Sequence, residues 1–174
     1  KGITCDFEAG KTHAIVGNNG SGKSVLFKCI CGFIKPTEGT ITIDDKVIGK
    51  DVDFPESMGM IIERPGFLPN MSGFRNLKLL AEIQGKITDT EIRNTISRVG
   101  LDPDSKKAVA KYSLGMKQRL GIAQAIMENP DLLILDEPFN GLDKKGVEEI
   151  RSLIMDLKKE GKTILLTSHN SEDI

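Results

Sequence analysis

Gly17-Asn18-Asn19-Gly20-Ser21-Gly22-Lys23-Ser24 follows the apolar run His13-Ala14-Ile15-Val16 and opens into a helical pattern through Val25-Leu26-Phe27-Lys28-Cys29-Ile30. The order is strand, glycine loop, helix. Glycines reach backbone dihedrals that a side chain forbids, so successive N–H groups can turn inward and surround phosphate oxygens at a helix N-terminus. Lys23 adds a mobile positive charge able to reach the β and γ phosphates, and the Ser24 hydroxyl is placed to ligate Mg2+. Taken alone, this stretch says only that a nucleoside triphosphate binds.

The bulk properties narrow the setting. A chain of 174 residues can bury one good core, and its 24 basic residues nearly cancel its 25 acidic ones, so no overall field invites nucleic acid or an anionic surface. Any partner must be found by local shape. Cys5, Cys29 and Cys31 sit on apolar segments without metal-ligand spacing, and an odd count argues against a disulfide framework. They read as reduced core residues of a soluble, cytosolic chain, since no apolar run approaches bilayer length and no signal-peptide layout is visible. The first residue is Lys1 rather than Met and already looks like part of a strand, which suggests a piece of a longer polypeptide.

Outward from the loop, Gly2 to Phe7 alternates apolar and polar residues and, with the strand after Lys11, predicts an antiparallel pair. The helix after the loop should end near Gly32. Thr40–Ile43 and Val47–Ile48 predict a hairpin turned by Asp44-Asp45, and 57–63 a strand with Met60-Ile61-Ile62 buried on both faces. From Pro65 helical periodicity takes over, with helices capped by Ser72, by Thr88 or Asp89, and by Ser113. Strand texture returns at 131–136, then a helix from about Asp143 to Glu160 and a strand at 163–167. The expectation is an α/β fold: a P-loop NTPase core with a mainly parallel sheet, an antiparallel β edge and an inserted helical subdomain. It forms one domain over 1–174, with a core lobe of 1–64 and 130–174 and a helical subdomain at about 65–129.

Leu132-Leu133-Ile134-Leu135-Asp136-Glu137 is a buried strand that delivers two adjacent carboxylates at its C-terminal end, as in a Walker B motif. Asp136 is placed to hold Mg2+, and Glu137, left free of the metal, to polarise a water for in-line attack on a γ phosphate. Two acids that merely cap a helix are the plainer alternative. The next strand ends in Thr167-Ser168-His169, a polar tip whose imidazole can touch the same phosphate.

Lys111-Tyr112-Ser113-Leu114-Gly115-Met116-Lys117-Gln118-Arg119-Leu120 opens a helix ahead of that strand and resembles the signature motif of ATP-binding cassette (ABC) ATPases. Asn140-Gly141-Leu142-Asp143 resembles their D-loop and His169 their switch histidine, so the resemblance runs along the whole chain in order. It implies that Gly17, Asn18, Asn19, Gly20, Ser21, Gly22, Lys23, Ser24 and Val25 bind the nucleotide. Ser24, Asp136 and Glu63 would serve Mg2+, and Glu137 and His169 catalysis. Ser113 and Gly115 would serve the γ phosphate held by a second nucleotide-binding domain, in a head-to-tail dimer around two ATP molecules. Physically, that helix start offers a hydroxyl and a backbone N–H, a second anion site in one chain.

Two departures sharpen the resemblance. Tyr112, Leu114 and Met116 replace the first, third and fifth residues of the family's common Leu-Ser-Gly-Gly-Gln, and Glu63 stands where the family's Q-loop glutamine is found. This combination is similar to the subgroup that exports bacitracin, lantibiotics and related antimicrobial peptides. The family's adenine-stacking aromatic would lie upstream of Gly2, and the family continues beyond His169. The resemblance implies an ATPase that drives export through membrane-spanning permease partners, sits on the inner face of the cell membrane, and has no nucleic-acid partner. The rival expectation is a soluble ABC ATPase acting in translation or DNA repair.

Overall fold

The structure is a computed structural model that describes residues 2–169. Strand β1 (Thr12–Val16) runs into the glycine loop, and α1 (Lys23–Ile30) leaves it. A two-stranded antiparallel sheet follows, β2 (Thr42–Ile43) and β3 (Lys46–Val47), turned by Asp44 and Asp45 with φ of 49° and 62°. Both turn residues are left-handed, as the tight hairpin expected there requires. Then come β4 (Met58–Ile61), α2 (Gly73–Gln84), α3 (Asp89–Arg98), a 3-10 turn at Val109–Lys111, and α4 (Leu114–Ile126). The chain closes with β5 (Leu132–Leu135), α5 (Lys144–Lys159) and β6 (Thr163–Ser168).

Helices α2 to α5 each follow a residue whose side chain satisfies a bare N–H group, whereas α1 starts after Gly22 without a side-chain cap. Ser72 accepts from Arg75 N, Ser113 from Met116 N and Asp143 from Gly146 N, while Thr88 and Glu91 form a reciprocal capping box. Of the two caps open for the second helix, Thr88 is the one used.

The main sheet has the order β1-β6-β5-β4, all parallel, with Val16 beside Ser168 and Leu135 beside Leu166. That register brings the C-terminal ends of β1, β5 and β6 to one edge. Side chains alternate across it: Leu133, Leu135, Ile164 and Leu166 face a core shared with α2, α3, α4 and α5, while Ile134 and Leu165 face Phe27 and Ile30 of α1. Strands buried on both faces carry the continuous apolar runs seen here. The 60–62 stretch behaves likewise, with Ile61 in the first core and Met60 and Ile62 against the second. No helix among the described residues is long and apolar enough to cross a membrane.

Two expectations fail. Residues 2–8 form no strand, and β1 pairs in parallel with β6 instead of antiparallel with an N-terminal neighbour. Phe7 packs edge-on against His13, whose Nε2 lies 2.9 Å from the Glu8 carbonyl, so that carbonyl meets a side chain where a ladder would have given it a backbone N–H. The cysteines are not all core residues either: Cys31 is buried, Cys29 half-buried and Cys5 exposed. Burial pushes the Cys31 thiol up to about 12, which keeps it protonated and unreactive. Cys5 stays out of the core because the segment carrying it never joins the sheet.

Candidate functional site

The loop after β1 is tightened by a hydrogen bond from Ser21 N to Asn18 O, 3.1 Å, and hands over to α1 through Gly22, whose φ of 95° suits glycine alone. Asn18, Asn19, Gly20, Ser21 and Gly22 are exposed, and Gly17 is half-buried. Lys23 folds back into the loop, its Nζ donating to Gly17 O at 2.5 Å and Asn18 O at 3.3 Å. Val25 is exposed in the first turn of the helix.

Beside this loop, a run of short contacts ties together α1, β5, β6 and the two loops after those strands. Ser24 Oγ donates to Asp136 Oδ2 at 2.6 Å, and Thr167 Oγ1 donates to Asp136 Oδ1 at 2.6 Å. The same Thr167 oxygen accepts from Glu137 N at 2.9 Å. The Glu137 carboxylate lies 2.7 Å from His169 Nδ1 through one oxygen and 3.6 Å from Lys23 Nζ through the other. Asp136 is 6 % exposed, so its charge is poorly hydrated and rests on the Ser24 and Thr167 hydroxyls. These six residues come from three separate stretches of the sequence, 23–24, 136–137 and 167–169, and the parallel register is what gathers them.

The remaining candidates lie elsewhere in this arrangement. Glu63, at φ 61°, meets Lys28 Nζ at 2.5 Å, one helical turn beyond Ser24 on α1. Ser113 is exposed and its hydroxyl accepts from Met116 N at 3.2 Å. A Cβ on Gly115 would come within 2.9 Å of the Gly141 carbonyl, so the start of α4 rests directly on the loop after β5. Sequence reasoning gave no role to Thr167, although it quoted the Thr-Ser-His tip, nor to Gln118, whose amide reaches the backbone after β5.

Ser24 and Asp136 together offer hard oxygen donors 2.6 Å apart, beside the exposed loop residues 18–22. That donor set fits Mg2+, which takes one or two protein oxygens and keeps several waters. Glu63 is also an oxygen donor, but one of its oxygens is held by Lys28.

Residues 1–140 match the sequence family described as ABC transporter. The ABC transporter ATP-binding protein YybJ of Bacillus subtilis (strain 168) is 49% identical over 99% of this chain and 79% of its own length. The bacitracin transport ATP-binding protein BcrA of Enterococcus faecalis is 42% identical over 95% of this chain, which spans only 54% of that relative. Among solved structures, the dimeric bacterial ABC transporter cassette MJ0796 superimposes with a TM-score of 0.87 at 25% identity, covering 97% of this chain and 79% of that one. With a glycine loop and a strand-end pair of carboxylates joined through Ser24 and Asp136, and a family match over most of its length, the chain belongs to the ABC transporter family as one of its ATPase cassettes.

Proposed function

We propose that this cassette hydrolyses ATP as one half of a head-to-tail dimer and drives export of bacitracin or a related antimicrobial peptide through a membrane permease. The observation that carries the chemistry is the contact run Ser24–Asp136–Thr167–Glu137–His169 at the strand ends. The loop from Gly17 to Ser24 and Val25 surrounds the phosphates, and Lys23 draws on the β and γ oxygens. Ser24 and Asp136 would hold Mg2+, with Glu63 a further oxygen donor once released from Lys28, and the bound ion would supply charge neutralisation at the phosphates. Glu137 takes a proton from the attacking water as that water's oxygen bonds to the γ phosphorus and the bond to the β-phosphate oxygen breaks to release ADP, while His169 holds the Glu137 carboxylate and contacts the γ phosphate.

Ser113 and Gly115 complete the site of a second cassette. The exposed, self-capped start of α4 supports this role, because such a terminus offers N–H groups to an anion approaching from outside the chain. The dimeric assembly of the similar cassette MJ0796 supports the pairing, and the bacitracin transport role in the name of BcrA supports the cargo class. Glu63 at the Q-loop position supports the same subgroup. Permease subunits then carry the peptide, and the cassette lies against the inner membrane face through them.

The test is Glu137→Gln in the full-length protein. Turnover should fall by about 100–10,000-fold while ATP binding persists and the dimer is trapped closed. Hydrolysis at the normal rate would refute the assignment. Co-purification from membranes, with identification of the attached permease, tests the transport half: a soluble protein free of any membrane subunit would count against it.

A further inference from the structure

Gln118 lies in the second turn of α4, is 8 % exposed, and has no part in the chemistry described so far. Its amide nitrogen donates to the carbonyl of Glu137 and to that of Pro138, both at 3.2 Å. Two carbonyl acceptors require the NH2 end of the amide at this spot, since its oxygen would be repelled. Glu137 itself has φ 51°, a left-handed conformation that a residue with a Cβ holds only when its surroundings impose it. The surroundings do so from both sides. The peptide unit before Glu137 is tied by its N–H to Thr167 on β6, and the unit after it is tied by its carbonyl to Gln118 on α4. With both peptide planes held, the direction in which the Glu137 side chain leaves the backbone is set.

We propose that Gln118 is a positioning residue for Glu137, and that through it the seat of the carboxylate follows the seat of α4. The same helix is capped by Ser113 and carries Gly115 in its first turn, five and three residues before Gln118, and its start rests on the Gly141 carbonyl in the loop after Glu137. A shift of α4 as its tip meets an anion therefore moves the clamp on Glu137. This rests on Glu137 being the base of the proposed reaction.

The experiment compares Gln118→Met, Glu137→Gln and the double variant in the full-length protein, measuring kcat, KM and ATP binding. Methionine keeps the length of the side chain and removes both donors. The expected result is a drop in kcat of roughly 10–100-fold with KM and ATP affinity unchanged, the size of loss that follows when a reacting group is misplaced by about 1 Å. Added to Glu137→Gln, it should cost nothing further, because the group it places is already gone. Wild-type kcat in Gln118→Met alongside an inactive Glu137→Gln overturns the proposal, as does a full additive loss in the double variant. Normal turnover in Glu137→Gln is a different result: it removes the base assignment, and the proposal falls with it. Should Gln118→Met fail to fold, Gln118→Glu is read in its place, since it keeps shape and polarity but sets an oxygen against both carbonyls; wild-type kcat there overturns the proposal equally.

Discussion

The strand-end cluster and the start of α4 use similar groups, hydroxyls and N–H donors, under opposite conditions. At the strand ends the functional groups engage one another within the chain: Asp136 is buried, takes two hydroxyl hydrogen bonds, and shares Thr167 with the Glu137 backbone. At Ser113 the hydroxyl caps only its own helix and stays exposed, beside Leu114, a large apolar side chain 54 % exposed. Groups satisfied internally act by being held still. Groups left at the surface act only when something is brought to them, which is why the first region reads as a chemical centre and the second as half of a contact.

If that contrast is right, damage to the buried cluster should be severe and damage to the helix tip partial. Asp136→Asn keeps the shape of the side chain and removes its charge, so steady-state turnover should fall by about 100–1,000-fold, as for lost electrostatic support at a reacting phosphate. An ATPase assay at saturating nucleotide checks this, and a loss of only a few-fold would break the distinction. Ser113→Ala should cost about 1 kcal/mol of stability through the lost cap. It should also lower turnover by roughly 10–100-fold while leaving ATP binding to the separate cassette unchanged. Analytical ultracentrifugation with and without ATP would show the origin of that loss as weaker ATP-driven association; full association with full turnover would make the tip a cap and nothing more.

The smallest effect belongs to neither region and serves as their control. The Thr88 backbone N–H, and after it the Thr88 hydroxyl, hold the Glu91 carboxyl below its ordinary value. A carboxyl whose folded value is lowered stabilises the fold above its unfolded value and loses that contribution as pH falls through the folded one. Glu91→Gln should therefore be less stable than wild type near neutral pH, with the gap closing on acidification, and its ATPase rate should not change. Denaturant unfolding across the acidic range measures the gap. A gap independent of pH would show that the capping box works without the charge.

Much of the fold was legible from local signals. The hairpin at Asp44-Asp45, the caps at Ser72 and Ser113, the helix starts near Thr88-Asp89 and Asp143, and the apolar strands around 132–135 and 163–167 each depend on neighbours within a few residues. Residues 2–8 misled because alternation describes a strand that has a partner, and no partner strand is present beside them among the described residues. Within the site, the loop and the Asp136-Glu137 pair stand out because their chemistry is concentrated in a few consecutive positions. Thr167 and Gln118 do not, since a lone threonine or glutamine carries no pattern until its partner's position is known.

By itself, then, the order of residues determined most of the helices and strands after residue 10, where the glycine loop lies, and which two carboxylates end a buried strand. Only the tertiary structure decided that Thr167 bridges those two carboxylate residues, that Lys28 engages Glu63, and that α4 reaches the backbone of Glu137. The reason is range: caps and turns are settled by contacts a few residues apart, whereas these pairs are 19 to 35 residues apart in sequence and meet only after the parallel sheet has set its register.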